Sequence, residues 1–457
     1  MRIAYHTLGC KFNQYETEAM KEQFKAAGCT IVGEEDAADV YVINTCTVTN
    51  LADRKSRQYI RRMKKKCPDA VVAVTGCYAQ IKPDEVAALK EVDIVAGTGE
   101  KHNILSYVQQ FIEDRQRRRH IIDYDSLTSY DDKGIITSME SRTRAYIKIQ
   151  EGCDRFCAYC LIPFARGHVR SRDPEEIVAE ATALISQGFK EIILTGINTA
   201  LYGTEESFGY PLQPDERAEG MTGIEIIIKR INDLEGEFRI RLSSLEPTVI
   251  NAEYVRRLMK YERLCPHLHL SVQSGSDHVL ELMNRRYDRS EYLEIVKVLK
   301  EYDPLYGITT DIICGFPGER EEDFADSLDI IDKVKFCKVH AFKYSKREGT
   351  AAALMSGQIS GEVKARRMER LMEAGERASA EFMESCRGAV REVLFEEVCE
   401  AGCGQDCSEA DGNASLLTGY TDNYIKVYAK GTSGDLNSIK RVKLLEKYKD
   451  GMKGEIE

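Results

Sequence analysis

Two long blocks of this 457-residue chain alternate short apolar runs with segments of helical period. That alternation commits a chain to parallel sheet, because parallel neighbours need a crossover, usually a helix, instead of a tight turn. In the first block, strands are expected at residues 2–6, 40–44, 70–75 and 93–96, with helices at 15–27, 51–66 and 83–91. In the second, strands are expected at 145–149, 191–195, 239–243, 268–272, 308–313 and 338–342. Six strand–helix units suggest a partial (βα)6 barrel. After a charged helix at 362–386, strand-like runs at 392–398, 415–420, 424–428 and 442–446 are separated by Gly and Asp turns. They read as a small antiparallel β-barrel. The expected fold class is therefore α/β: a parallel sheet domain over 1–113, a linker over 114–140 that is polar and poorly patterned near 125–140, a central barrel over 141–370 and a carboxy-terminal barrel over 371–445.

Charged residues make up 30% and hydrophobic residues 43%, and no run of about 18 apolar residues exists. A membrane span is not expected. The opening MRIAYHTLGCKFNQYE lacks the apolar stretch of a secretory leader. Fifteen cysteines in such a chain point to metal ligands and packing thiols in a reducing cytoplasm, not to a disulfide framework. The net charge of -11 speaks mildly against nucleic acid, yet two basic runs stand out. One is Arg54, Lys55, Arg57, Arg61, Arg62, Lys64, Lys65 and Lys66. The other is Arg115, Arg117, Arg118, Arg119 and His120. Solvated helix faces explain such runs about as well as RNA does.

The cysteines carry the chemistry. Cys153, Cys157 and Cys160 are spaced C-x3-C-x2-C. Three thiolates hold three irons of a [4Fe–4S] cubane and leave the fourth iron open to a substrate or cofactor. A zinc knuckle is the alternative, and His168 is the only nearby fourth ligand. The spacing resembles that of the radical S-adenosylmethionine (SAM) superfamily. Three further cysteines, Cys10, Cys46 and Cys77, each follow an expected strand of the first block. Strand carboxyl ends share one edge of an open α/β sheet, so these thiols are placed to converge on a second site, or to be three unrelated thiols at loop starts. Gly9 and Gly76 precede two of them and would let backbone approach a bulky ligand.

TLGCKFNQYETEAM, INTCTVTNLADRKSRQ, VTGCYAQ, RAYIKIQEGCDRFCAYCLIPFARGHVRSR, RLSSLEPT, CPHLHLSVQSGSD, MNRRYDR, TTDIICGFPGE and KYSKREGT occur in that order. Together they resemble the methylthiotransferases, radical SAM enzymes with an amino-terminal second-cluster domain and a carboxy-terminal TRAM barrel. The likeness runs from about residue 3 to about residue 430, and is strongest to the branch acting on threonylcarbamoyladenosine in tRNA. Other branches act on isopentenyladenosine in tRNA or on an aspartate of a ribosomal protein; an iron–sulfur RNA-binding module without turnover is a further reading. The resemblance implies two [4Fe–4S] clusters, on Cys153, Cys157 and Cys160 and on Cys10, Cys46 and Cys77, with SAM at the first. It implies a methylthio group added at carbon 2 of the adenine.

The same resemblance implies that Tyr159 lies against the SAM adenine, plain packing being the alternative, and Gly315 resembles the superfamily's adenine-contacting stretch. Gly196, Ser244, Glu246, Gln273 and Ser274 lie at ends of expected barrel strands, where they either contact SAM or hydrogen-bond within the barrel. Arg54, Lys55, Arg57 and Arg61, following the Cys46 loop, are candidate phosphate contacts. Arg166, Arg170 and Arg172 are candidates for phosphate or the threonyl carboxylate. Tyr420, Tyr424 and Tyr428 of the last barrel are candidates for base stacking, and alternating core tyrosines explain them about equally well. The partners implied are a tRNA anticodon loop and an electron donor whose identity is left open, with a monomeric, cytoplasmic enzyme. Residues 198–203, NTALYG, and Lys343 depart from the family pattern. The spacing of Cys399, Cys403 and Cys407 is compatible with a metal site, against which Gly402 and Gly404 argue for a loose loop, and Cys29, Cys67, Cys265, Cys314, Cys337 and Cys386 read as packing thiols.

Overall fold

The computed structural model describes residues 1–130, 143–399 and 415–457. Its first unit is a six-stranded, wholly parallel sheet. The strands are β1 (Arg2–Thr7), β2 (Thr30–Val32), β3 (Val40–Thr45), β4 (Val71–Gly76), β5 (Ile94–Ala96) and β6 (Arg118–His120), in the order β2-β1-β3-β4-β5-β6. Every residue of β3 and β4 is buried, as expected of central parallel strands covered by helices on both faces. Helix α1 (Lys11–Ala26) packs Met20 and Phe24 on one face; α2 (Asn50–Lys66) packs Tyr59, Ile60 and Met63 on the other. The edge strand β6 is built from the basic run that the sequence placed in the linker. That run is largely consumed in pairing: Arg118 with Asp114, Arg119 with Asp84, and Arg117 with the Leu89 and Val92 carbonyls.

The central unit is an open barrel in two half-sheets. One holds β7 (Arg144–Glu151), the two-residue β8 (Arg170–Ser171), β9 (Glu191–Gly196) and β10 (Arg239–Leu242). The other holds β11 (Ser244–Leu245), β12 (His267–Leu270), β13 (Gly307–Cys314) and β14 (Lys338–Lys343). An Ile240–Leu264 bridge joins the halves. All six expected strands are present as parallel members. The helix Pro174–Ser186 begins as its sequence signals say, with Asp173 accepting from the Glu175 amide at 2.7 Å. Alternate residues such as Ile147, Leu194, Ile240 and Leu268 face the helices. The residues between them turn a polar set inward, including Tyr146, Arg241, His269 and Asp311.

The last unit closes as β15 (Val390–Val398), β16 (Ser415–Thr421), β17 (Lys426–Gly431), β18 (Ile439–Tyr448) and β19 (Gly451–Ile456), ordered β15-β16-β17-β19-β18. It has one strand more than the sequence suggested and runs past residue 445. It is not purely antiparallel, because β17 and β19 pair in parallel. Its turn docks on the floor of the central barrel. Arg241 donates to the Asp422 and Thr421 carbonyls, Arg239 donates to the Tyr420 carbonyl, and Tyr424 stacks on His267 at 4.4 Å. Among the described residues, no helix is long and apolar enough to cross a membrane.

Candidate active site

Cys10, Cys46 and Cys77 stand at the carboxyl ends of β1, β3 and β4, within electrostatic reach of one another. Cys10 is exposed, whereas Cys46 and Cys77 are buried. Their loops are laced together by Asn13, which donates to the Leu8 carbonyl at 2.7 Å and to the Thr45 carbonyl at 3.1 Å. Two glycines make the approach possible. A Cβ on Gly9 would lie 2.8 Å from the Cys46 Cβ, and one on Gly76 would lie 2.3 Å from the Thr45 carbonyl. Both have φ near +100°, a region that side chains disfavour.

Cys153, Cys157 and Cys160 occupy one loop at the end of β7 and also influence one another's charge. Gly152 starts the loop so tightly that a Cβ would sit 1.7 Å from the His168 carbonyl. His168, the fourth ligand that a zinc site would need, is instead held through Nδ1 by Asp154 at 2.7 Å. Among the described residues, no three Cys, His, Asp or Glu side chains gather as tightly as a single ion demands. Burial pushes the Cys46 and Cys153 thiols up to about 12, and raises Cys160 further. As bare thiols they stay neutral at pH 7, and a metal bound there would displace their protons.

Each trio receives one guanidinium. Arg166 Nε lies 3.3 Å from the Cys77 Sγ, and Arg285 Nη1 lies 3.4 Å from the Cys157 Sγ. Arg285 was not singled out from the sequence, although it lies inside MNRRYDR. It also reaches Glu246 at 3.3 Å and the Ser271 carbonyl at 3.3 Å. Its neighbour Asn284, left-handed at φ +59°, donates to the Phe156 carbonyl and so grips the cysteine loop from below.

The expected SAM contacts divide. Tyr159, Gly196 and Gln273 are partly open, and Ser244 is exposed. Gln273 is held at φ +64° by backbone bonds to β13, a strained conformation at a strand end. Glu246 is a buried hub instead, accepting from Arg155 at 2.9 Å and Asn198 at 2.8 Å besides Arg285. Ser274 is fully buried and bonds Ser327 and the Ser276 amide, so it faces away from the mouth. Gly315 packs on Lys364, where a Cβ would meet the side chain at 2.4 Å. Asn198, in the departing stretch, takes its place beside Glu246.

The arginines expected to meet RNA are mostly turned inward. Arg166 is fully buried among Glu16, Glu151 and Asn13. Arg170 donates to the Leu127, Arg166 and His168 carbonyls. Arg172 pairs with Glu180 and Glu176. Burial follows pairing: Arg166 meets Glu16 from 150 positions away, and Arg172 meets two acids on the helix just beyond it. Arg57 is half-buried against Tyr78 and Glu85. Arg54, Lys55 and Arg61 remain exposed on α2. Tyr420 and Tyr424 stack on each other within the docking surface, with Arg144 and Arg241 over their rings, and Tyr428 bonds Asp450 inside its own barrel. Cys399 is half-buried beside β16, while Cys403 and Cys407 lie outside the described residues.

A second clamp, also unforeseen, ties the Cys46 loop to the central barrel. Arg347, from KYSKREGT, is buried and donates to Thr47 at 2.6 Å and Asp53 at 2.8 Å.

Residues 2–97 match the family described as Uncharacterized protein family UPF0004, and residues 147–331 match the Radical SAM superfamily. A Bacillus subtilis protein named threonylcarbamoyladenosine tRNA methylthiotransferase MtaB is 41% identical over 97% of this chain and 94% of its own length. A Thermoanaerobacter tRNA-2-methylthio-N(6)-dimethylallyladenosine synthase is 35% identical over 99% of this chain and 93% of its own. Among solved structures, the radical SAM methyltransferase TsrM from Kitasatospora setae shares the fold, with a TM-score of 0.55 at 14% identity, covering 86% of this chain and 80% of that one. Identity of that order, unbroken through both thiol-bearing units and the terminal barrel, means that the chain belongs to the radical SAM tRNA methylthiotransferase family.

Proposed function

We propose that this enzyme adds a methylthio group to carbon 2 of N6-threonylcarbamoyladenosine beside a tRNA anticodon, using two [4Fe–4S] clusters. The observation that carries the substrate is the 41% identity, over 97% of the chain, to a relative named for that nucleoside. The residues suit the groups. Both trios are preceded by glycines whose missing side chains let the loops close against neighbouring backbone and thiols, and each has a cationic donor aimed at one sulfur. Cys153, Cys157 and Cys160 would hold the SAM cluster; Cys10, Cys46 and Cys77 would hold the auxiliary one. When bound, these groups supply reductive cleavage of a carbon–sulfur bond and the transferred sulfur and methyl.

The chain's own residues do the rest. Tyr159, Gly196, Ser244 and Gln273 border the mouth and would orient SAM. Glu246, Arg155 and Arg285 hold the cysteine loop in one geometry. Lys11 lies beside Cys10 and extends over the Tyr146 ring, 5.4 Å from its centroid, toward the polar interior. It is suitably placed for the carboxylate of a threonylcarbamoyl group. Arg54, Lys55 and Arg61 give tRNA phosphates a basic edge next to the auxiliary thiols.

The test is nucleoside analysis of tRNA from cells with and without the gene. The 2-methylthio derivative of threonylcarbamoyladenosine should vanish on deletion. Loss of the dimethylallyl derivative alone would overturn the assignment.

A further inference from the structure

Arg166 belongs to the central barrel, six positions beyond Cys160, yet its Nε–H points at a sulfur of the amino-terminal sheet, Cys77, at 3.3 Å. The side chain is fully buried. Its remaining donors are all engaged: Nη1 with Glu151 at 2.9 Å and with Glu16, Nη2 with Asn13 at 2.8 Å and Glu16 at 3.1 Å. Its flat face lies 4.5 Å from the Phe12 ring centroid. A guanidinium fixed on four sides has no freedom to choose its fifth partner. The two carboxylates are shared with Lys101, Lys148 and Arg170, so they do not neutralise Arg166 alone.

A neutral thiol gains little from such a donor, whereas a metal-bound thiolate gains a charge-assisted hydrogen bond. Hydrogen bonds to ligand sulfur and local charge set the reduction potential of an iron–sulfur cluster. We propose that Arg166 is the positioning residue of the auxiliary cluster: it fixes the Cys77 sulfur from the opposite domain and raises the potential of the cluster bound there. Glu16 works against it by partly offsetting the same charge. The second thiol trio is therefore completed only when sheet and barrel are docked. This rests on the two-cluster reading above.

The test uses the full chain with Cys153, Cys157 and Cys160 replaced by Ala, reconstituted anaerobically with ferrous iron and sulfide, and titrated by electron paramagnetic resonance. The parent should load a single cluster. Arg166→Gln should lower its midpoint potential, and Glu16→Gln should raise it. A residue that merely packs would not shift the potential in opposite directions. Equal potentials in all three proteins, or shifts of the same sign, overturn the proposal. If Arg166→Gln does not fold, the sign of the Glu16→Gln shift decides alone. A parent that takes up no iron sinks the two-cluster reading itself, a result separate from failure of the Arg166 role.

Discussion

The two thiol trios are gathered by opposite routes. Cys153, Cys157 and Cys160 sit in a single loop, and their relative placement needs only the end of β7, a tight glycine turn and the Asn284–Arg285 grip from below. Cys10, Cys46 and Cys77 come from three strand ends, 36 and 31 positions apart. Their placement needs the whole parallel sheet and two clamps from another unit, Arg166 and Arg347. A local trio tolerates damage elsewhere; an assembled trio inherits every weakness of the fold that assembles it.

Three experiments press on that contrast. The largest effect is expected from the ligands. Cys157→Ala should abolish release of 5′-deoxyadenosine from SAM under reduction. Cys46→Ala should keep that release and lose only the methylthiolated nucleoside. Chromatography of both products from the same reaction separates the trios, and equal loss of 5′-deoxyadenosine in the two variants would erase the distinction. Next comes Arg347→Ala. It leaves Asp53 buried without its partner, and breaking such a pair costs about 3–5 kcal/mol. Urea unfolding followed by probes in each unit should show the amino-terminal sheet loosening first, with the Cys153 loop still able to bind iron.

The smallest effect is acid sensitivity. Burial alone would raise the Glu16 carboxyl, but Arg166, Lys101 and Lys148 overcome it and hold the group below its ordinary 4.5. Glu151 is likewise held low against burial, by Lys148, Arg170 and Arg166. A depressed carboxyl stabilises the fold fully above its unfolded value and loses that contribution as pH falls through the folded one. Docking of sheet on barrel should therefore weaken only below about pH 4.5. Glu16→Gln should flatten this acid limb in a melting-temperature profile, leaving the neutral range flat.

The same contrast explains what was legible in the sequence. The long central strands were read to within a residue or two, because fully buried parallel strands are unbroken apolar runs. The C-x3-C-x2-C loop announces itself by spacing. Cys10, Cys46 and Cys77 became meaningful only through topology, each following a strand. Short and charged strands were lost: the edge strand Thr30–Val32 is three residues long, the edge strand Arg118–His120 is basic, and Gly451–Ile456, inside the closed barrel, carries glycine and charge. Charged residues were read as facing solvent or RNA. Arg166 and Arg172 are inside because Glu16, Glu151 and Glu180 meet them there, and no local period signals a partner such as Glu16, 150 positions from Arg166. Arg285 and Arg347 lay in plain view within motifs, yet their tasks depend on partners that only the folded chain supplies.

The turn of the terminal barrel is seated in the floor of the central one, where Arg239 and Arg241 grip its carbonyls and the Asn423 carbonyl closes on Gly307. A Cβ on Gly307 would stand 2.1 Å from that oxygen, so even an alanine there would pry the two units apart. The consequence is metrical. The outer barrel is therefore held at a set reach from the barrel that carries the Cys153 loop.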